Sequence, residues 1–85
     1  SAYFSSFTNL VLSVENSNQI NKSFYFDVIR SQLSAYELFF IFYWGLSKHG
    51  VRLKTIFEKY SFFCNLNKNF LIREIDSTSY KDSAY

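Results

Sequence analysis

Apolar residues recur at helical spacing in the first part of the chain. Four of them lie three or four positions apart, namely Phe4, Phe7, Val11 and Val14. This period places them on one side of a helix, so the pattern predicts a first helix over residues 1–16. Residues 16–22 are rich in Asn and Ser, whose short side chains compete with helix hydrogen bonds, and this predicts a polar loop. Ser23 is a candidate cap for the next helix.

Residues 23–33 carry two competing periods. The spacing of Phe24, Phe26 and Val28 is that of a strand, whereas Tyr25, Ile29 and Leu33 are spaced as in a helix. Because the helical period extends further along the chain, the pattern favours a second helix.

The start of a third helix is the clearest local signal. Ser34 followed by Glu37 forms a capping box, in which each side chain binds a backbone N–H of the other. Residues 38–44 are apolar on all sides, so this segment is predicted to be the central buried helix. Gly50 fits the left-handed position that follows a helix end.

Residues 51–64 predict a fourth, amphipathic helix. Its apolar face contains Leu53, Ile56, Phe57, Tyr60, Phe63 and Cys64. Lys54 and Glu58 are spaced to form an ion pair. Residues 73–85 are polar and are expected to be a weakly structured tail. The predicted fold is an all-α bundle of four helices, or five if residues 70–72 add a turn, within one domain over residues 1–85.

Composition supports helices and raises a question about the surface. Aromatic residues make up 22% of the 85 residues, and the chain has two glycines and no proline. A sheet of this size needs turns, which draw on Gly and Pro. So small a core can enclose only some of the aromatic rings, so the others are expected to contact a second copy or another part of a longer parent protein. The absence of an initial Met also suggests a fragment of such a parent.

Charge and cysteine usage restrict the partners and the compartment. The net charge is +2, and only Lys48, Arg52 and Lys54 cluster, which argues against a nucleic-acid-binding face. Cys64 is the single cysteine, so no internal disulfide can form, as is usual for a cytoplasmic protein. The longest apolar run, over residues 38–44, is far shorter than the ~20 residues of a membrane span. Membrane attachment would therefore need other segments of the parent.

The sequence offers little for catalysis or metal binding. One His and one Cys do not make a zinc site without several carboxylates, so no metal and no cofactor are expected. His49 is the only plausible general base, and a capping role at a helix end is enough to explain it. We therefore expect the chain not to be an enzyme.

The most notable polar set lies between the second and third predicted helices. It consists of Arg30, Gln32, Ser34, Tyr36 and Glu37, which we call the polar corner. Arg30 and Glu37 are expected to meet there. The corner is interpreted as a structural network that fixes the angle between two helices, or alternatively as a recognition site.

Two stretches carry a family resemblance. These are RSQLSAYELFFIFYWGLS over residues 30–47 and IFEKYSFFCNL over residues 56–66. They resemble the AbiC-like phage abortive infection family, whose pattern runs R-x-Q-L-S-x-Y-E-L, then an apolar run, then E-K-Y and N-L. The resemblance implies a role in bacterial defence, in the cytoplasmic helical part of a protein with preceding membrane helices. It supplies no mechanism and no catalytic residue.

The leading hypothesis is a helical interaction or regulatory module of an abortive infection protein. Its partner would be a second copy or the rest of the parent chain, with a phage or host protein as a further candidate. One alternative is part of a nuclease-type toxin whose active site lies elsewhere or at a dimer interface. Another is a helical module that binds nucleic acid.

Overall fold

A computed structural model describes residues 2–18 and 21–85. Within these ranges the chain forms four α-helices, α1 (Ala2–Glu15), α2 (Lys22–Ser31), α3 (Ala35–Leu46) and α4 (Val51–Lys59), and three short 3₁₀-helices, η1 (Lys68–Phe70), η2 (Glu74–Ser79) and η3 (Asp82–Ala84). No strand occurs in the described part, so the all-α prediction is confirmed. Ser1 of the first predicted helix and Gln19 and Ile20 of the predicted loop lie outside the described residues.

Side-chain caps set the starts of two helices. The capping box of α3 is confirmed, because the Ser34 hydroxyl accepts from the Glu37 N–H at 3.1 Å and a Glu37 carboxylate oxygen accepts from the Ser34 N–H at 2.9 Å. The predicted cap of α2 was wrong. Asn21 holds that position, and its side-chain oxygen accepts from the Phe24 N–H at 3.1 Å. The helix therefore begins two residues earlier than a Ser23 cap would place it, and Ser23 lies inside its first turn.

The core draws on every α-helix and on the C-terminal segment. Its fully enclosed large side chains are Val11, Phe26, Ile41, Phe42, Leu53, Phe57, Phe62 and Phe63. α4 packs against α1, α3 and η3, so it shares the central position that was predicted for α3 alone. In the described ranges, no helix is both long enough and apolar enough to cross a bilayer.

The connection between α3 and α4 differs from the prediction. α3 ends at Leu46, and Gly50 has a φ of −110°, so it does not adopt the left-handed conformation. Glycine is needed there for another reason. A Cβ atom at this buried position would collide with the carbonyl oxygen of Trp44.

The end of α4 also differs from the prediction. The helix stops at Lys59, and Ser61 takes a positive φ of 50°, which breaks the helical period. Phe62 and Phe63 are buried as a result, while Cys64 is exposed rather than part of the core.

Residues 73–85 are ordered against the core, although a weakly structured tail was expected. Tyr80 and Ala84 are buried. The Tyr80 hydroxyl donates to the Phe42 carbonyl at 2.8 Å, and the Phe63 N–H donates to the Ala84 carbonyl at 2.8 Å. Glu58 is also buried. Its carboxylate accepts from the Lys81 N–H at 2.8 Å and does not form the predicted ion pair with Lys54. This segment is mostly polar and only a few of its residues anchor it to the core, so its sequence pattern did not indicate that it packs there.

Candidate interaction surface

An apolar groove opens between the first half of α3 and η1. Its lining consists of Ala35, Tyr36, Phe39, Phe40 and Phe70, and its volume is about 290 Å³. We call it the aromatic groove. Tyr36 is 78% exposed, Phe40 56% and Phe70 55%, so α3 is not buried on all sides. The sequence missed this surface because the apolar run around α3 gives no indication of which side lacks a neighbour.

Helix periodicity places the rings along the groove. Tyr36 and Phe40 are four residues apart, so they lie on the same face of α3. Phe39 packs edge-to-face against Phe40, with 5.4 Å between ring centroids, and against Tyr43 at 5.2 Å. Phe70 is held on the opposite wall by η1, where the Asn67 side chain accepts from the Asn69 N–H.

Tyr43 of α3 holds the segment that follows η1 in place beside the groove. Its hydroxyl accepts from the Ile72 N–H at 2.9 Å and donates to the Asp76 carboxylate at 2.7 Å. Arg73 binds the same carboxylate at 3.0 Å. The hydrogen bond from Tyr43, reinforced by Arg73, holds the pKa of Asp76 below its usual value despite desolvation. These bonds hold residues 72–76 beside α3, and Ile72 and Ile75 of this segment are also exposed.

Part of the polar corner forms a real network. Glu37 closes the capping box with Ser34, and it also accepts from the Tyr3 hydroxyl of α1 at 2.7 Å. The Ser34 N–H and the Tyr3 hydroxyl lower the pKa of Glu37. Burial and the neighbouring Glu37 raise the pKa of Tyr3 to about 12. The corner thus ties the start of α3 to α1.

The other members of the polar corner do not join that network. Arg30 pairs with Asp27 at 2.8 Å, one turn earlier on α2, and the predicted contact with Glu37 is wrong. Gln32 makes a long 3.4 Å contact with Ser31, and Tyr36 projects into solvent at the aromatic groove. Asp27 and Arg30 are three residues apart on the same helix, so their side chains are already neighbours and can pair.

A second polar network was not predicted. Glu15, at the end of α1, accepts from the Tyr60 hydroxyl at 2.7 Å and lies 3.4 Å from the Lys59 ammonium and 3.7 Å from that of Lys22. Burial opposes ionisation here, but the bonds from Tyr60 and Lys59 outweigh it and lower the pKa of Glu15. These residues are far apart in sequence, so only the fold could reveal the contact.

The arrangement favours binding over chemistry at the aromatic groove. Its lining residues are all apolar or aromatic, and the Tyr36 hydroxyl is the one polar group among their side chains. In the described part of the chain, no three His, Cys, Asp or Glu side chains are grouped so that they could hold a metal ion.

Comparison with known proteins identifies a family to which this sequence is similar. The sequence profile of a family described as "Putative phage abortive infection protein" matches residues 1–71. Neither a curated protein nor a solved structure gives a match. The matched region includes both stretches that carry the resemblance, together with the whole aromatic groove. Because the match covers well over half of the sequence, the chain belongs to this family of phage abortive infection proteins.

Proposed function

We propose that this chain is a non-catalytic interaction module of an abortive infection protein and that it self-associates through the aromatic groove. The observation that carries the proposal is the exposure of Tyr36, Phe40 and Phe70 around one groove. Exposed apolar surface of this kind on a small domain is typical of binding sites.

Covering these rings would supply a substantial driving force. Full burial of a Phe side chain stabilises a complex by roughly 1.5–3 kcal/mol relative to leaving it in water. Three rings that are more than half exposed therefore offer several kcal/mol to a partner. Tyr and Phe are also rigid, so they lose little conformational entropy when they are buried.

A second copy is the occupant that the groove fits best. A two-fold interface uses the same patch on both subunits, so the patch must be complementary to itself. This surface has a concave part of about 290 Å³ and a projecting ring, Tyr36, at its edge. No charged residue lines the groove, so two copies would meet without repulsion between like charges.

Self-association would also account for a regulatory role. In this proposal the module lies on the cytoplasmic side of a longer parent protein and couples infection to the association of parent chains. The module itself would carry no active site, and growth arrest would come from the assembled protein.

The test compares two phenylalanines of equal exposure. Phe40 lies in the aromatic groove, and Phe24 is 57% exposed on α2, away from the groove. Sedimentation velocity over a wide concentration range should show that the wild-type chain and Phe24→Ser dimerise, while Phe40→Ser remains monomeric. In the full-length protein, Phe40→Ser should lose phage protection and Phe24→Ser should keep it.

Two results would contradict this proposal. One is a wild-type chain that stays monomeric at the highest concentration. The other is a dimer that Phe40→Ser leaves intact, which would place the contact elsewhere. Circular dichroism of each variant checks that a lost dimer does not reflect lost folding.

The nuclease alternative retains one supporting observation. Of the three polar residues that could serve such a site, Arg30 and Glu37 are engaged in structural contacts, but His49 lines a polar pocket. The nucleic-acid alternative loses support because Arg52 and Lys54, from the basic cluster, line two different pockets.

A further inference from the structure

A polar pocket is formed by residues other than those that line the aromatic groove. It is formed between α1 and the junction of α3 with α4, and its volume is about 230 Å³. The lining residues are Ser5, Thr8, Asn9, Trp44, His49 and Arg52. We call it the His49–Arg52 pocket, and it shares no residue with the aromatic groove.

The charge around this pocket is one-sided. Two of its lining residues, His49 and Arg52, can carry positive charge, and none is acidic. The chain has three arginines. Arg30 pairs with Asp27 and Arg73 with Asp76, but no carboxylate in the described ranges pairs with Arg52. A guanidinium without a carboxylate partner beside a concave site is suited to an anion.

The α1 wall supplies neutral hydrogen-bond donors. Ser5, Thr8 and Asn9 are three and four residues apart, so they share one helix face. Thr8 is buried, and its hydroxyl oxygen accepts from the Trp44 indole N–H at 3.2 Å. That bond occupies one acceptor position of the Thr8 oxygen and leaves its hydroxyl hydrogen available as a donor.

Ring stacking fixes the position of His49. The indole of Trp44 lies nearly parallel to Phe4, at 4.8 Å and 10°. It also lies nearly parallel to the imidazole of His49, at 5.8 Å and 18°. An imidazole held in this way loses little freedom when a ligand binds. The turn that carries His49 is fixed in addition by Gly50, which packs directly against the Trp44 carbonyl.

From this geometry we infer that the His49–Arg52 pocket binds the phosphate group of a small phosphorylated ligand. Arg52 supplies the paired N–H donors that match phosphate oxygens, and His49 and the α1 side chains supply further donors. The pocket is large enough for a phosphate group with part of its substituent, and the remainder of the ligand would extend into solvent.

Trp44 provides the readout, because it is the only tryptophan in the chain and it lines the pocket. Titrations of the intact chain at constant ionic strength would use inorganic phosphate, adenosine monophosphate and adenosine. Phosphate and the monophosphate should change the Trp44 fluorescence and shift its indole N–H resonance, and adenosine should not. Tighter binding of the monophosphate than of phosphate would identify a nucleotide-like ligand, whereas equal binding would identify the free anion.

Matched variants test the assigned residues. Arg52→Gln should weaken phosphate binding by about tenfold or more, because a charge-assisted hydrogen bond is lost. Lys54→Gln removes the same charge two residues away, outside the pocket, and should change the affinity by less than about twofold. The inference is overturned if phosphate leaves the Trp44 signals unchanged, if adenosine binds equally well, or if both variants weaken binding alike. None of these results bears on self-association through the aromatic groove.

Discussion

Single tyrosine hydroxyls join distant parts of this small protein. Three of them donate to carboxylates on other elements, in the pairs Tyr3–Glu37, Tyr43–Asp76 and Tyr60–Glu15. A fourth, Tyr80, is buried and donates to the Phe42 carbonyl. Burial raises the pKa of Tyr80 well above its usual value, so this hydroxyl stays protonated. The aromatic content therefore provides hydrogen bonds between elements as well as apolar surface.

Gly45 makes the Tyr80 contact possible. A Cβ atom there would collide with the Tyr80 hydroxyl and lie 3.0 Å from the Phe57 ring. Gly45→Ala should lower the free energy of unfolding by about 2 kcal/mol through overpacking, although alanine is the better helix former. Chemical denaturation measures the change. In a Tyr80→Phe background the same substitution should cost clearly less, because the colliding oxygen is gone.

Gly50→Ala is the matched control for this comparison of the wild-type and Tyr80→Phe backgrounds. Its Cβ atom would meet the Trp44 backbone carbonyl, which cannot rotate away as a side chain can. Gly50→Ala should destabilise the protein by the same amount whether residue 80 is Tyr or Phe. An equal cost of Gly45→Ala in both backgrounds would show that Tyr80 is not the reason for this glycine.

At the scale of the element, α2 and α3 begin at side-chain caps, and the helices are held by packing. Phe, Tyr, Ser and Asn are mediocre helix formers, so caps and buried faces matter more here than propensity. α3 is the clearest case, since Ser34, Glu37 and Tyr3 form one network at its start. The same helix keeps Tyr36 and Phe40 in solvent, so a stable start is combined with an uncovered side.

Removing the α3 cap gives a prediction at this scale. Ser34→Ala should lower the free energy of unfolding by about 1 kcal/mol, because the Glu37 N–H loses its acceptor. Ser23→Ala serves as the control. Ser23 is exposed and α2 is capped by Asn21, so its loss should change stability by less than about 0.5 kcal/mol. A larger effect at Ser23 than at Ser34 would contradict the assignment of the caps.

At the scale of the whole molecule, the C-terminal segment closes the structure. The Cα radius of gyration is 12.2 Å, close to the ~12 Å expected for a folded chain of this length. η3 packs against α4, while Tyr80 enters the core between α3 and α4. Long-range hydrogen bonds to Glu15, Glu37 and Asp76 join α1 to Tyr60 at the end of α4, α1 to α3, and α3 to η2.

These three carboxylates predict how stability depends on acid. The pKa of each is lowered in the folded state, so the unfolded chain binds more protons as the pH falls. Their contribution is complete above the unfolded values of roughly 4 and is lost as the pH drops through the folded values. The melting temperature should therefore be nearly constant between about pH 6 and about pH 9, below the ordinary pKa of tyrosine, and should decrease below about pH 5.

A pair of variants isolates one of these groups. Glu15→Gln should make the acid decrease in melting temperature shallower, because Glu15 contacts Tyr60, Lys59 and Lys22. Glu74→Gln should leave the slope unchanged, because Glu74 is exposed and makes no ion pair or side-chain hydrogen bond within the described ranges. Identical slopes for the wild type and Glu15→Gln would contradict the role given to Glu15.

The sequence alone determined the helical class, the approximate ranges of the four α-helices, the capping box and the family resemblance. These features depend on residues that are close together in the chain or on a recognisable sequence motif. Tertiary packing decided which side of α3 is uncovered, why Gly45 must be small, and that residues 73–85 close the core. It also separated Arg30 from Glu37 and placed Cys64 at the surface. Such outcomes depend on contacts between residues far apart in the chain, and local periodicity carries no information about them.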